Sequence, residues 1–412
     1  MKLIYLIAVK FYGFVVMIAS LWNPKASGFI NGRKGIFKRI SEEIPENEKI
    51  IWVHCSSLGE YEQGKPLMKK LKENFADHKI FLTLFSPSGY ENLKGRSVAD
   101  YLYYLPLDSP ANARRLVKWL NPKMAILVKY EYWYFYLSEL KKQKIPIYVV
   151  SAVFRYHLTY FKWYGSFFRK MLAMVDHFFV QDKESQNILY DNQLTDVSIS
   201  GDTRFDTVWN NSINTKQLPI IDNFCDKNQV LVAGSTWPED DKLLCKLISE
   251  NGRNFKMVIA PHEISESHLK FIESHCPLPS IRYSAVNPEV SQIDERVLII
   301  DNIGILSSVY ARGTVSYIGG GFGKGIHNVL EAAVFGTPII FGPNYKFFRE
   351  AGELVKLKGA FSIKNYQQLA ERIDDLFESP SLTREIHKIN TEYIKRNKGA
   401  SEVIINYLLI NS

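Results

Sequence analysis

The sequence predicts an α/β protein with two doubly wound parallel-sheet domains, preceded by an apolar N-terminal helix. Short apolar runs alternate with helical patterns along most of the chain, the alternation lapses once near the middle, and the first 24 residues lack it. Apolar strands separated by helices are typical of parallel sheets that are covered on both faces. The length of 412 residues and the hydrophobic content of 46% suit two or three globular domains.

The N-terminal element is the apolar run from Leu3 to Trp22, which is long enough to cross a bilayer and carries one charge, Lys10. The cations that follow it are Lys25, Arg33, Lys34, Lys38 and Arg39. This excess predicts that the rest of the chain faces the cytoplasm. A cleaved signal peptide is disfavoured because no small-x-small cleavage site follows, whereas Lys10 leaves a helix lying on the membrane surface open. Residues 1–24 are therefore predicted to form a membrane anchor.

The first α/β domain is predicted over residues 25–212. Its predicted strands are KIIWVHC, KIFLTLFS, YLYYLPLD, MAILVKY, IPIYVVSA, DHFFVQ and VSISGD. Between two of them, the stretch SPANARRLVKWLNP has the period of an amphipathic helix, and the residues on its apolar face are Ala113, Leu116, Val117 and Leu120. The polar segment from Asn210 to Gln229 is predicted to be the linker between the domains.

The second α/β domain is predicted over residues 213–395. Its predicted strands are QVLVAGS, FKMVIAPH, RVLIID, TVSYIGG and TPIIFGP. Residues 396–412 are expected to form a helix that packs back on the first domain. Two such domains predict a cleft, with ligands at the carboxyl ends of the strands.

The most informative stretch of the second domain runs from Tyr317 to Phe348. A strand end leads into a loop that contains Gly319, Gly320, Gly321, Gly323 and Gly325. A helix is predicted to begin near His327 and Asn328 and to run to Gly336. Glycines and a helix N-terminus together offer backbone N–H groups to a phosphate, and Glu331 could accept hydrogen bonds from ribose hydroxyls. The alternative is a glycine-rich turn without a ligand, since the spacing is neither that of a P-loop nor GxGxxG.

Two carboxylates in the first domain are candidate catalytic groups. Glu60 follows Gly59 at the strand–turn–helix junction of WVHCSSLGEYEQGKPLMKKL, and Glu131 follows the predicted strand MAILVKY. Each could act on a substrate proton or charge. Each could equally be a carboxylate at the start of a helix, where it would stabilise the helix dipole. The residues alone leave both interpretations open.

Taken in order, these motifs resemble those of the 3-deoxy-D-manno-octulosonic acid (Kdo) transferases. The segment from Gly325 to Glu331 resembles the nucleotide-binding segment of that family, with Ile326 in place of its second glycine. The other matching stretches are HCSSLGE, YEYW, GDTRFD, AGSTWPEDD, APHE, DNIGIL and NKGAS. The resemblance covers almost the whole chain, including the anchor. It implies the GT-B fold and an inverting transfer of Kdo from CMP-Kdo to a lipid A precursor (lipid IVA), a step in lipopolysaccharide inner-core biosynthesis.

The resemblance also implies roles for individual residues. Glu60 takes the position of the family's proton acceptor, Glu131 that of a transition-state stabiliser, and Arg204 that of a lysine with the same role. The positions implied for CMP of the donor are Pro261, His262, Ile303, Gly304, Ile305, Asn328, Val329, Leu330 and Glu331. Two departures stand out: the arginine usual before His262 is missing, and Ile305 replaces a glutamate, so only backbone contacts are expected there.

Neither a metal nor a cofactor is expected. His54, His262 and His327 lie in separate motifs without zinc-type spacing, and no Asp-x-Asp stands at a strand end. The net charge of +8 suits nucleic acid, an anionic membrane surface or an anionic substrate. A nucleic-acid partner is not expected because no recognition motif is present, and the resemblance implies the cytoplasmic face of the inner membrane. The alternative functions are a GT-B enzyme that uses a UDP-sugar, as a transferase or an epimerase, and a non-catalytic sugar-nucleotide-binding module.

Overall fold

The computed structural model describes residues 1–287 and 293–411. The chain divides into two units. Unit 1 is Met1–Thr207 together with the segment from Lys398 to the C-terminus, and unit 2 is Val208–Asn397. The domain boundaries predicted from the sequence lie at 212/213 and 395/396, and they stay predictions. The contacts within the chain divide it into the two units at 207/208 and 397/398.

The sheet of unit 1 is parallel throughout. Its strands are β1 Ile50–Cys55, β2 Lys79–Leu84, β3 Tyr101–Tyr104, β4 Met124–Val128, β5 Ile147–Ala152, β6 His177–Val180 and β7 Val197–Ile199. They are ordered β3-β2-β1-β4-β5-β6-β7, so β1 and β4 are neighbours at the point where the strand order reverses. Every residue of β1, β4 and β5 is buried, which explains why these strands read as continuous apolar runs.

Helices cover both faces of this sheet. The first ten helices are α1 Lys2–Ala19, α2 Pro24–Arg33, α3 Ile36–Glu43, α4 Leu58–Asn74, α5 Pro87–Leu93, α6 Pro110–Leu120, α7 Tyr134–Lys142, α8 Ser166–Leu172, α9 Lys183–Asp191 and α10 Arg204–Ile213. The apolar face predicted for α6 is confirmed, since all four of its residues are buried. Several of these helices begin after a side chain that accepts a hydrogen bond from a backbone N–H of the first turn, namely Ser57, Ser86, Ser109 and Asp182.

Unit 2 has a second parallel sheet of the same kind. Its strands are β8 Val230–Thr236, β9 Lys256–Pro261, β10 Ser280–Arg282, β11 Val297–Ile299, β12 Val315–Ile318, β13 Ile339–Phe341 and β14 Ala360–Ser362, in the order β10-β11-β9-β8-β12-β13-β14. Its helices are α11 Pro219–Cys225, α12 Pro238–Glu250, α13 Glu266–His275, α14 Leu306–Val309, α15 Leu330–Ala333, α16 Arg349–Lys356, α17 Tyr366–Glu378 and α18 Pro380–Asn397. β8 lies between β9 and β12, so the segments after these strands emerge side by side.

The linker predicted over Asn210–Gln229 is wrong for much of its length. Helix α10 continues to Ile213, and α11 occupies part of the remainder with a proline in its first turn. Ile221 and Phe224 of α11 are fully buried. Because polar residues surround these two in the sequence, the local pattern does not indicate the short apolar face of α11.

The helix predicted after the glycine loop is much shorter than expected. It begins at Leu330 instead of near His327 and ends at Ala333 instead of Gly336. The backbone N–H of His327 donates to the carbonyl of Gly319 at 3.2 Å, and that of Ile326 donates to Asn344 at 3.3 Å. These two amides stabilise the loop that precedes the helix.

The last helix, α19 Ala400–Asn411, lies in unit 1 and packs on α4. The carboxylate of Asp206 accepts hydrogen bonds from the backbone N–H groups of Gly399 and Ser401, at 2.5 and 2.7 Å, and so fixes the start of α19. Lys70 of α4 forms an ion pair with Glu402. Ile404, Ile405 and Leu408 lie in the same apolar cluster as Leu67, Met68 and Leu71 of α4.

Candidate active site

Glu60 lies in the first turn of α4 and takes part in its cap. Its backbone N–H donates to Ser57 Oγ at 3.4 Å, and its carboxylate accepts hydrogen bonds from the backbone N–H of Ser57, at 3.1 Å, and of Ser56. This is a Ser-x-x-Glu capping box. Glu60 therefore caps the start of α4, as one of its two predicted interpretations requires.

The surroundings of Glu60 are also those of a proton acceptor. Burial raises the pKa of Glu60, and the negative charge of Glu131 raises it further, while the hydrogen bonds from Ser56 and Ser57 lower it. Both hydrogen bonds to its carboxylate end on Oε2. Within the described part of the chain, no hydrogen bond is recorded to Oε1. A carboxylate with a raised pKa and an unengaged oxygen is suited to general-base chemistry.

Glu131 is joined to strand β1 through His54. It lies in the connection between β4 and α7, three residues before the helix begins, so it is not a helix-start carboxylate. Its Oε2 is 3.1 Å from His54 Nε2 and accepts a hydrogen bond from Trp133 Nε1 at 3.0 Å. Trp133 Nε1 is also 3.2 Å from His54 Nε2. Because β1 and β4 are neighbours, two motifs that are far apart in sequence form one cluster.

The orientation of His54 is set by Thr83 on β2. His54 Nδ1 is 3.0 Å from the carbonyl oxygen of Thr83 and 2.8 Å from its Oγ1. Trp52 Nε1 donates to the same Thr83 Oγ1 at 2.8 Å. His54 is 1% exposed, so these contacts hold its Nε2 against Glu131 and Trp133.

Arg204 stands apart from this cluster in the contacts that the structure shows. It opens α10, and its guanidinium pairs with Asp202, with Nε at 2.8 Å from Oδ2. The other oxygen of Asp202 accepts the Arg204 backbone N–H at 2.9 Å. The side chain of Arg204 is 31% exposed. Among the contacts that the structure describes for this side chain, none is to Glu60 or Glu131.

In unit 2 the segments after β9 and β12 place two imidazoles face to face. The ring centroids of His262 and His327 are 4.1 Å apart with an interplanar angle of 25°. Trp237 also stacks on His262, with ring centroids 5.0 Å apart, and donates its Nε1–H to His327 Nε2 at 3.1 Å. Burial, and then His262, lower the pKa of His327 to about 4. His327 is therefore neutral near pH 7, as its acceptor role requires.

Asp240 holds the glycine loop beside this stack. Its carboxylate accepts hydrogen bonds from the backbone N–H of Gly320 at 2.8 Å, from the backbone N–H of Trp237 at 3.0 Å and from the Tyr317 hydroxyl at 2.7 Å. Burial raises the pKa of Asp240, and these three hydrogen bonds oppose that effect. The loop is thereby fixed to the start of α12.

The conformation of this loop requires glycine at several positions whether or not the loop binds a ligand. A Cβ on Gly319 would lie 2.2 Å from the carbonyl oxygen of Ser235, so only glycine allows β12 to approach the end of β8 so closely. Gly320 has a φ of +88°, a conformation that other residues adopt rarely. The loop is consequently pre-formed, although its glycines by themselves do not establish a phosphate site.

The other predicted donor residues differ in what they can present. Asn328 accepts from the backbone N–H of Leu330 and donates to Glu331, both at 3.1 Å. The side chains of Val329 and Leu330 are fully buried, which leaves only their backbone groups for a ligand.

The residues of the turn at Ile303–Ile305 also differ in what they can present to a ligand. Ile303 is 86% exposed and Ile305 is buried. Between them, Gly304 accepts a hydrogen bond from Lys216 Nζ at 2.6 Å. At the end of β9, Pro261 is buried and His262 is exposed.

Sequence reasoning missed several residues of both clusters. His54 and Trp133 lie within the quoted motifs HCSSLGE and YEYW, so the motifs themselves were a signal. Trp237 lies likewise within AGSTWPEDD. Asp240 lies in the same motif, whereas Thr83 acts through contacts that no local pattern predicts.

Metal ligation has no support among the residues that the structure describes. In residues 1–287 and 293–411, no group of three or more His, Cys, Asp or Glu side chains is arranged to hold a metal ion. The expectation of a metal-independent protein stays a prediction.

The fold with two Rossmann-like sheets has counterparts among solved structures. A crystal structure of UDP-GlcNAc 2-epimerase from Neisseria meningitidis bound to UDP-GlcNAc shares the fold with a TM-score of 0.63, at 18% sequence identity, over 88% of this chain and 100% of that chain. The predicted α/β fold of the GT-B class is confirmed. At this level of identity, the likeness concerns the fold alone.

Relatedness in sequence then gives the family. Residues 31–207 match the family model of the 3-deoxy-D-manno-octulosonic-acid transferases (kdotransferases). The transferase of that name from Aquifex aeolicus is 28% identical, over 81% of this chain and 88% of its own length. The one from Haemophilus influenzae is 24% identical, over 95% and 93%. The chain is a relative of the Kdo transferases, and the resemblance inferred from its motifs is confirmed.

Proposed function

We propose that this protein is an inverting glycosyltransferase that moves Kdo from CMP-Kdo to a lipid A precursor. One observation carries the proposal: Glu60, with its raised pKa, lies near Glu131 in the unit that matches the Kdo transferase family. Relatives named Kdo transferases align with most of the chain, which supports the choice of donor.

In the proposed reaction, Glu60 accepts the proton of the acceptor hydroxyl. The hydroxyl oxygen attacks the anomeric carbon of Kdo, and the bond from that carbon to the phosphate of CMP breaks, so CMP leaves with the bonding electrons. Glu131 stabilises the positive charge that develops on the sugar. Arg204, whose side chain is 31% exposed, balances the negative charge of the donor.

The donor nucleotide is assigned to unit 2. The stack of Trp237, His262 and His327 offers flat aromatic surfaces, and Asn328 and Glu331 offer polar side chains beside it. The segments at 303–305 and 329–330 contribute backbone groups, as expected where Ile305 replaces an acid. The proposed enzyme works without a metal, so transfer is expected to persist in the presence of a chelator.

We also propose attachment to the cytoplasmic face of the inner membrane through α1. This helix is apolar enough and long enough to interact with a bilayer, with a mean hydropathy of 1.9 over its 18 residues. The first 41 residues contain seven lysines and arginines and no acid. Such a segment is attracted to anionic lipid headgroups.

The decisive experiment is incubation of the full-length protein with CMP-Kdo and lipid IVA, followed by mass spectrometry of the lipid and measurement of released CMP. Addition of Kdo to the lipid with stoichiometric CMP is the expected result. Absence of product with active-site residues intact would overturn the proposal. Turnover of UDP-GlcNAc would instead indicate an enzyme of the epimerase kind, whose fold this chain shares.

A further inference from the structure

Helix α1 has two different faces along its length. The half-buried positions include Tyr5, Val9, Gly13 and Val16, which recur with the helical period. Most of the exposed apolar residues lie on the opposite side, namely Leu3, Ile4, Ile7, Phe11, Phe14, Val15 and Ile18, whereas Tyr12 is 45% exposed at the edge of the docked side. One face therefore contacts unit 1, and the other presents apolar side chains to the surroundings.

The first anchor of the docked face is Tyr5. Its hydroxyl donates to Asp108 Oδ2 at 2.7 Å. Asp108 is 1% exposed and also accepts hydrogen bonds from the backbone N–H groups of Phe135 and Tyr136, at 3.0 and 3.1 Å, where α7 begins. The ring of Tyr5 packs on Phe167 of α8 at 5.6 Å. This contact is specific, because a buried carboxylate depends on each of its donors.

A second anchor lies two helical turns further on. The ring of Tyr12 lies 5.9 Å from that of Phe29 and 6.2 Å from that of Phe85. At the next residue, a Cβ on Gly13 would lie 2.7 Å from Leu107 Cδ1, so the helix backbone itself touches unit 1. Positions 5, 12 and 13 follow one stripe, and the docked region therefore extends over more than half of α1.

This docking is incompatible with a helix that crosses the bilayer. A crossing needs about 20 residues to traverse a hydrocarbon layer of about 30 Å. With Tyr5 to Gly13 held on unit 1, the helix has only six residues beyond them, ending at Ala19, and these span about 9 Å. The docked stretch cannot enter the hydrocarbon layer without drawing in the buried Asp108 and the guanidinium of Arg33, which donates to the carbonyls of Leu105 and Phe85.

We propose that α1 lies in the plane of one membrane leaflet, with its docked face on unit 1 and its exposed apolar face among the acyl chains. The occupant of that face is lipid and not a second copy of the chain, because the cation excess of the first 41 residues suits anionic headgroups and repels itself. The inference rests on the proposed membrane attachment but not on Kdo transfer.

The proposal predicts that all residues on the exposed face of α1 lie at the same depth in the membrane. Nitroxide labels would be placed singly at Ile4→Cys, Phe11→Cys and Ile18→Cys in the full-length chain. A Cys225→Ser background is suitable, because Cys225 is half-buried while the other three native cysteines are buried. The depth of each label is measured from its accessibility to oxygen and to a water-soluble nickel complex, in vesicles of phosphatidylethanolamine and phosphatidylglycerol.

The expected result is a shallow, nearly equal depth for the three labels. A crossing helix would separate the labels at positions 4 and 18 by up to about 21 Å along the membrane normal and place position 11 near the centre, which would overturn the proposal. Labels that stay accessible to nickel, or that show spin–spin broadening between copies, would overturn it as well. Val16→Cys on the docked face is the matched control, and circular dichroism checks the fold. Kdo transfer is measured separately, so failure of either proposal is distinguishable from failure of the other.

Discussion

Replacing Glu60 by glutamine separates its two roles, because the amide preserves one and removes the other. The Oε1 of a glutamine can still accept the backbone N–H groups of Ser56 and Ser57, and a capping box works with either Glu or Gln. The loss of charge at the start of α4 costs about 0.3–1 kcal/mol of unfolding free energy. An amide cannot take a proton from the acceptor, and the loss of a general base lowers the rate by roughly 10²–10⁴-fold. Glu60→Gln should therefore fold normally and transfer very little Kdo.

The alanine variant supplies the comparison. Glu60→Ala removes the carboxylate to which the backbone N–H groups of Ser56 and Ser57 donate hydrogen bonds in the native protein. The loss of a cap costs about 0.5–2 kcal/mol. We expect Glu60→Ala to be as inactive as the glutamine variant and measurably less stable.

The assay is the initial rate of Kdo transfer to lipid IVA, measured together with the denaturation midpoint of each variant. Glu62→Gln is the matched control, because Glu62 lies in the same helix and its carboxylate pairs with Lys65 on the surface. If Glu60→Gln retained more than a tenth of the native rate while folded, Glu60 would be a capping residue only. The assignment of the base would then be wrong.

Three further predictions concern the groups around this carboxylate and the anchor of α1. Glu131→Gln should shift the acid limb of the pH–rate profile to lower pH, because the charge of Glu131 is one cause of the raised pKa of Glu60; an unchanged limb in the residual activity would contradict their coupling. Trp133→Phe removes the N–H that binds Glu131 and should lower transfer roughly 10–100-fold with little change in melting temperature, whereas unaltered kinetics would exclude a positioning role. Burial raises the pKa of Asp108 from 3.8 to about 6. Between these pH values the folded state keeps a proton that the unfolded chain has released. The contribution of Asp108 to the free energy of unfolding therefore decreases by about 3 kcal/mol as the pH rises through this range. Denaturant titrations of the native protein and of Asp108→Asn from pH 4 to pH 7 should differ by this slope, and parallel curves would refute it.

Local patterns were sufficient for much of the secondary structure. The helical period between Ala113 and Leu120 fixes the buried face of α6, because a side chain that repeats with the turn of a helix can face only one way. The Ser57-x-x-Glu60 spacing likewise contains its own capping box. Where a local pattern was misleading, tertiary contacts competed with it: the amides of Ile326 and His327 bind distant carbonyls, which shortened the predicted helix.

By itself, the sequence determined the two parallel sheets, the family and the positions of the candidate acids, since apolar runs and motif order are written along the chain. The tertiary structure alone decided that Glu131 reaches His54, because that contact depends on β1 and β4 lying side by side. It also decided the orientation of α1. Hydropathy shows only that the helix is apolar, whereas the contacts of Tyr5 and Gly13 show that one of its faces is already occupied by protein.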